Sequence, residues 1–259
     1  MNPSECVGSD TRHRSRPRRS RASPNSNSRP ILMNKFQHSN PIPSLTIALL
    51  TLIGSCLAVV TAQAQSFQEG THYETIDRPA AENRDGVVEV VEVFSYMCPH
   101  CGNFQPYVEP WHEKLPEGVS FSRVPVSFNP SWEIFARAYY TAEVLDLLDQ
   151  SHNALFEALH QQRRNIRTID DLADFHADYG IAAERFLSTS KSFPVESKIR
   201  MGNASIGKWQ VRSTPTLVIN GKYRVSPRRG GTFDEMLQVA DWLIARELGE
   251  RAAGENAAP

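Results

Sequence analysis

Cysteine is scarce in this sequence: 259 residues contain four. Cys6 and Cys56 fall within the first 64 residues, which leaves only Cys98 and Cys101 after them. A structural disulfide framework needs more pairs closing wider loops, so that class of scaffold is excluded. A second CxxC or an HxxxH is also missing beyond residue 64. A closed zinc site needs four ligands, and the two cysteines supply half of them. Covalent haem attachment needs histidine directly after the second cysteine, where Gly102 stands. Excess basic charge is lacking too. Taking the 8 basic and 2 acidic residues of positions 1–64 from the chain's 28 and 29 leaves 20 and 27, a net charge of −7. That sign argues against nucleic acid as a partner.

Long apolar runs are absent but for one. Leu45 to Val60 is uncharged and largely aliphatic, and Thr61-Ala62-Gln63-Ala64 follows it. An apolar h-region ending in a small-x-small triplet reads as a secretory signal, with cleavage expected between Ala64 and Gln65. The run falls short of the ~20 residues that a membrane anchor, the alternative, usually needs. Residues 1–30 hold seven arginines, seven serines and almost nothing aliphatic, and cannot bury a core. Lys35 and His38 form an ordinary n-region if translation starts at Met33. Cys56, after Ile53-Gly54-Ser55, offers a lipoprotein-like site as the other possible processing point.

What is there after the leader is Val93-Phe94-Ser95-Tyr96-Met97-Cys98-Pro99-His100-Cys101-Gly102. The β-branched run Val87 to Phe94 has the pattern of a strand buried on both faces. Phe104, Tyr107, Val108 and Trp111 then recur at helical spacing, so a helix over Cys98 to about Leu115 is expected. Pro99 suits its first position, where a missing N–H costs nothing. A cysteine at a helix start meets unpaired N–H groups and the positive end of the helix dipole, which favour thiolate. Three residues on, Cys101 shares that helix face, within reach of a disulfide. Glu92 interrupts the strand: it is either a paired or protonated buried carboxylate, or a strand-end group reaching solvent.

Downstream, a strand is expected at Val119 to Val126. Amphipathic runs follow at Trp132–Asp149, Ser151–Arg163, Thr168–Tyr179, Ala182–Ser190 and Pro194–Trp209. Thr168-Ile169-Asp170-Asp171 reads as a helix start with a capping-box acid. Thr216 to Ile219 and Lys222 to Val225 flank Asn220-Gly221, a strong hairpin turn signal. A last helix runs from Thr232 to about Leu248. A βαβ unit with CxxC at the strand-to-helix junction is the thioredoxin-like signal. The fold expected is therefore α/β, a central mixed sheet flanked by helices, with an inserted all-helical domain. The expected division is a leader over 1–64, a thioredoxin-like domain over 65–128 and 209–249, a helical insertion over 129–208, and a disordered tail over 250–259.

The sequence resembles the DsbA family of periplasmic thiol:disulfide oxidoreductases. Glu92-Val93-Phe94-Ser95-Tyr96-Met97-Cys98-Pro99-His100-Cys101, then Pro106, then Ser213-Thr214-Pro215-Thr216 leading into Asn220-Gly221-Lys222-Tyr223 carry the likeness. The resemblance implies that Cys98 is the exposed nucleophilic sulfur and Cys101 the buried resolving one. Pro99 and His100 would stabilise the reduced form and so make the disulfide oxidising. Pro215 matches a cis-proline, and the Thr214 backbone would pair with a substrate strand. Glu92 matches a buried carboxylate that accepts the Cys101 proton, and Arg123 falls where its cationic partner, usually a lysine, is expected. By the same resemblance the substrates are exported proteins with free thiols, the reoxidant is a quinone-linked inner-membrane protein, the location is the periplasm, and the chain acts as a monomer. Neither cofactor nor metal is implied beyond the Cys98–Cys101 disulfide. A reductase or isomerase, or a peptide-holding chaperone on the same scaffold, are the competing functions.

Overall fold

The computed structural model describes residues 66–77 and 87–257, with side chains to residue 253. The apolar leader, Cys6, Cys56 and the expected cleavage point lie outside the described residues. Among the described residues twelve elements follow one another: β1 (Glu74–Thr75), β2 (Val88–Phe94), α1 (Pro99–His112), β3 (Val119–Pro125), α2 (Pro130–Val144), α3 (Leu148–His160), α4 (Ile169–Ala177), α5 (Ala183–Ser190), α6 (Phe193–Lys208), β4 (Thr216–Ile219), β5 (Tyr223–Val225) and α7 (Phe233–Ala257). The five strands form one mixed sheet in the order β1-β5-β4-β2-β3, with only β2 and β3 parallel. Helices α2–α6 stand between β3 and β4. The α/β, thioredoxin-like architecture expected from the sequence is the one observed.

Strand β2 is central because it can be buried on both faces. Val88 and Val90 pack on one side with Phe104 and Val108 of α1 and the α7 residues Val239, Ala240 and Leu243. Val91 and Val93 pack on the other with Ile206, Trp209 and Val218. The two-residue period of a strand places Glu92 on the Val88–Val90 side, under α1. Phe94, Tyr96 and both cysteines join a third cluster with Phe135, Tyr139, Leu155 and Phe156 of the inserted helices. The insertion thus shares its core with the CxxC motif.

Local signals act where they were read. Thr168 and Asp171 form a reciprocal capping box at the start of α4. Asn220 (φ 51°) and Gly221 (φ 61°) both take the left-handed conformation that a tight hairpin turn requires. Two boundaries are corrected. The run expected over Trp132–Asp149 breaks at residues 145–147, where Asp146 adopts φ 57°, tolerable for aspartate. The last helix passes Leu248 and continues to Ala257, so the stretch read as a disordered tail is helical that far. Glu, Arg and Ala are strong helix formers, and Gly249 alone does not stop them. Arg246 also pairs with Glu250 one turn on (3.1 Å), and Arg251 donates to the Asn220 side chain (3.0 Å). Among the described residues, no helix is long and apolar enough to cross a membrane.

Candidate active site

The turn between β2 and α1 is tied by Ser95. Its carbonyl accepts from the Cys98 N–H (3.1 Å) and its hydroxyl from the Met97 N–H (3.1 Å). Cys98 becomes the N-cap of α1 in an extended conformation, with Pro99 as the first helical residue. Pro99 and His100 are exposed on that first turn. The helix runs unbroken through Pro106 and Pro110 to His112.

Both cysteines are free thiols here, and their environments differ. Cys98 keeps 6% of its surface and Cys101 none. The expectation of an exposed Cys98 is corrected to a recessed one. The cause is the segment before β4, whose Thr214 carbonyl accepts from the Cys98 sulfur at 3.5 Å. The Thr214–Pro215 peptide is cis. That segment is braced by the Thr216 hydroxyl, which donates to the Ser213 carbonyl (2.9 Å) and lies 2.6 Å from the Ser226 hydroxyl. The structure thus brings together the pair Cys98 and Cys101 and the pair Thr214 and Pro215, and the two pairs stand more than a hundred residues apart in the chain.

The Cys98 thiol is held down from 9.0 to about 5, first by the Cys101 sulfhydryl, then by the Thr214 side chain and the N–H groups of Cys101 and His100, against the cost of its burial. Cys101 moves the other way, pushed far up by burial and by the neighbouring Cys98 sulfur. One sulfur is a stable thiolate near neutral pH and the other a stable thiol. Such a pair can exchange disulfides through a single reactive sulfur.

Glu92 is fully buried, which settles its two readings in favour of pairing. Parallel register sets it beside Arg123. Arg123 Nε donates to one carboxylate oxygen (2.9 Å), and Gln105 Nε2 to the other (3.3 Å). Burial raises the Glu92 carboxyl, and the Arg123 guanidinium partly opposes that. Arg123 also donates to Glu109 (2.6 Å), whose other oxygen meets His112 Nε2 at 3.1 Å. Gln105 and Glu109 escaped the reading of the sequence. The usable signal was their spacing, four and eight residues after Cys101 on the helix.

A second set of missed residues comes from α3. His152, Phe156 and His160 repeat every fourth residue, so one helix face meets the motif. The Tyr96 hydroxyl and His152 Nδ1 are 2.7 Å apart, and the His160 Nε2–H donates to the Tyr96 carbonyl (2.7 Å). The His160 ring fills the space beside Gly102: a Cβ there would stand 2.7 Å from Cδ2 and 3.0 Å from Cγ. Helix propensity alone favours Gly102→Ala by about 1 kcal/mol, whereas overpacking costs about 1–3 kcal/mol. The expected result in urea unfolding is a net loss of stability for Gly102→Ala. Adding His160→Ala is expected to recover part of that loss, because the two sites are coupled. Additive losses would show that the His160 ring is not what opposes the added methyl.

Three comparisons bear on this site. The family model described as "DSBA-like thioredoxin domain" matches residues 89–237. The thiol:disulfide interchange protein DsbA of Pseudomonas aeruginosa is 36% identical over 217 residues, covering 84% of this chain and 99% of that protein. Its namesake in Pseudomonas syringae pv. tomato is 34% identical over 214 residues, covering 83% and 99%. Among solved structures, Pseudomonas aeruginosa DsbA superimposes with a TM-score of 0.67 at 38% identity, covering 73% of this chain and 97% of that one. The oxidoreductase DsbA from Xylella fastidiosa gives 0.66 at 36%, covering 71% and 98%. Motif, fold and asymmetric thiol pair agree with these likenesses, and the chain belongs to the DSBA-like thioredoxin domain family.

Proposed function

We propose that this protein is a dithiol oxidase that passes its Cys98–Cys101 disulfide to thiols of newly exported proteins. The opposed acidities of Cys98 and Cys101 carry the reading. A substrate thiolate attacks the Cys98 sulfur of the disulfide form; the substrate–Cys98 bond forms, the Cys98–Cys101 bond breaks, and the electron pair leaves on Cys101, which takes up a proton. A second substrate thiolate then attacks the substrate sulfur, and Cys98 leaves as a thiolate. A stabilised thiolate is a good leaving group, so this release is fast. Pro99 and His100 shape the first helical turn around that thiolate. The Thr214 backbone and Pro215 receive the substrate chain alongside Cys98.

Glu92 is the group that moves a proton on and off Cys101, with Arg123 and Gln105 fixing its orientation. In Glu92→Gln the amide cannot carry that proton, and its NH2 faces a donor whichever way it points. Steps that release Cys101 are expected to slow by on the order of tenfold or more, read from mixed-disulfide lifetimes across pH. An unchanged profile would remove the role.

Supporting the wider reading, the leader favours export and cleavage before Gln65, hence a periplasmic site of action as a monomer, with 65–128 and 209–249 as the thioredoxin-like part and 129–208 as the insertion. A quinone-linked membrane protein is the reoxidant proposed, and no cofactor or metal is invoked. The deciding measurement is the equilibrium of the Cys98–Cys101 disulfide with glutathione. A potential far more oxidising than the about −270 mV of thioredoxin is expected. A thioredoxin-like value would make the protein a reductase.

A further inference from the structure

A polar cavity of about 490 Å³ is lined by Arg212 and Ser213, which directly precede the cis Thr214–Pro215 peptide, together with Glu74, Arg224, Arg228 and His72. Most of its charge is already balanced. Arg224 Nη2 donates to Glu74 (2.7 Å), and Nη1 to the carbonyls of Trp209 (3.0 Å) and Gln210 (2.7 Å). Arg228 donates to Glu235 through Nε (3.0 Å) and Nη2 (2.6 Å), and His72 stands 4.0 Å from the same carboxylate. Arg212 is different. It is exposed, lines the cavity, and has neither a hydrogen bond nor an ion pair among the described residues.

Its place in the chain gives this unpaired cation a use. Arg212 precedes Thr214 by two residues, and the Thr214 carbonyl already touches the Cys98 sulfur. A peptide extended along this segment advances about 3.3 Å per residue, so a side chain two residues from its cysteine lies about 7 Å along the strand. That is within the reach of an arginine side chain. A guanidinium fork matches a carboxylate in shape as well as charge. Without Arg212 the exported chain has 19 basic and 27 acidic residues, a net charge of −8, so a cation two residues from Thr214 distinguishes acidic peptides locally against a repulsive background.

We propose that Arg212, exposed on the lining of this cavity, is a specificity subsite that takes a carboxylate side chain about two residues from the substrate cysteine. This rests on the thiol-exchange reading above and adds to it a preference among substrates.

The test uses the oxidised protein and five-residue peptides with one central cysteine and Asp, Ala or Lys at the second residue before or after it. Two peptide thiols become one peptide disulfide as the protein disulfide becomes the Cys98/Cys101 dithiol, which alkylation and mass spectrometry follow. At one of the two positions the Asp peptide is expected to react about threefold faster than the Ala peptide, and the Lys peptide slower still, as for a partly exposed ion pair. Arg212→Gln is expected to bring the ratio close to one, Arg212→Lys to keep most of it, and high salt to shrink it. Equal rates in the unaltered protein, or a preference that survives Arg212→Gln, overturn the subsite and leave thiol exchange standing. Loss of protein disulfide with none of the peptides overturns the thiol-exchange reading itself, and the subsite with it.

Discussion

Replacing Cys98 with serine is expected to lower the rate of thiol oxidation by on the order of a thousandfold or more, the scale seen when a nucleophile is removed outright. No other sulfur among the described residues can take over. Cys101 is fully buried, and its thiol is pushed far up by burial and by Cys98, so it holds its proton and meets no substrate. The matched replacement separates the two roles. With serine at 101, Cys98 still captures a sulfur from a disulfide-bearing peptide but has no partner to release it, so mixed disulfides accumulate and appear as a mass gain. Alanine at 101 adds a second readout. The Cys101 sulfhydryl is the largest cause of the low Cys98 value, so the thiolate absorbance is expected to titrate at a higher pH in Cys101→Ala than in the unaltered protein, where about 5 is expected. Retained activity in Cys98→Ser would instead point to a peptide-holding protein that uses the scaffold without its chemistry.

How much of this was legible in the sequence depends on how far each contact reaches. The β2 run, the CxxC at its end and the Asn220-Gly221 turn are local, and all three stand where the pattern placed them. Glu92 was legible as an anomaly but not as a pair. Its partner Arg123 is fixed by the parallel register of β2 and β3, and no spacing in the chain encodes that register. The recess around Cys98 was hidden for a similar reason, since the carbonyl that covers it comes from 116 residues away. His160 is the plainest case. A histidine 58 residues after Gly102 gives no local signal of the contact that crowds a side chain there. The break at Asp146 was missed because a left-handed residue other than glycine leaves little trace in composition. Short-range order is written in short-range pattern. The site is assembled by the long-range remainder.

The oxidising strength of the pair is expected to depend on pH in a way that the same asymmetry dictates. The Cys98 value is depressed on folding, from 9.0 to about 5. A group of that kind stabilises the folded dithiol fully above its unfolded value, and that stability is lost as pH falls through the folded value near 5. The disulfide form has no Cys98 proton to lose, so the whole effect acts on the reduced side. Exchange with glutathione therefore releases one proton between pH about 5 and the ordinary thiol range near 8.5. The equilibrium constant for reduction of the protein should approach a rise of about tenfold per pH unit within that window, hence about fiftyfold from pH 5 to 7, and level off below it. Cys101 adds nothing to the slope, because its value lies far above the window. Glu92 can add a second bend, since burial raises its carboxyl and Cys101 senses its charge. Measuring the same equilibrium in Glu92→Gln isolates that contribution: the break near 5 should remain, and any other bend should vanish. A constant that stays flat up to pH 8 would place Cys98 at an ordinary thiol value, and the source of the oxidising force would then have to lie in the disulfide form.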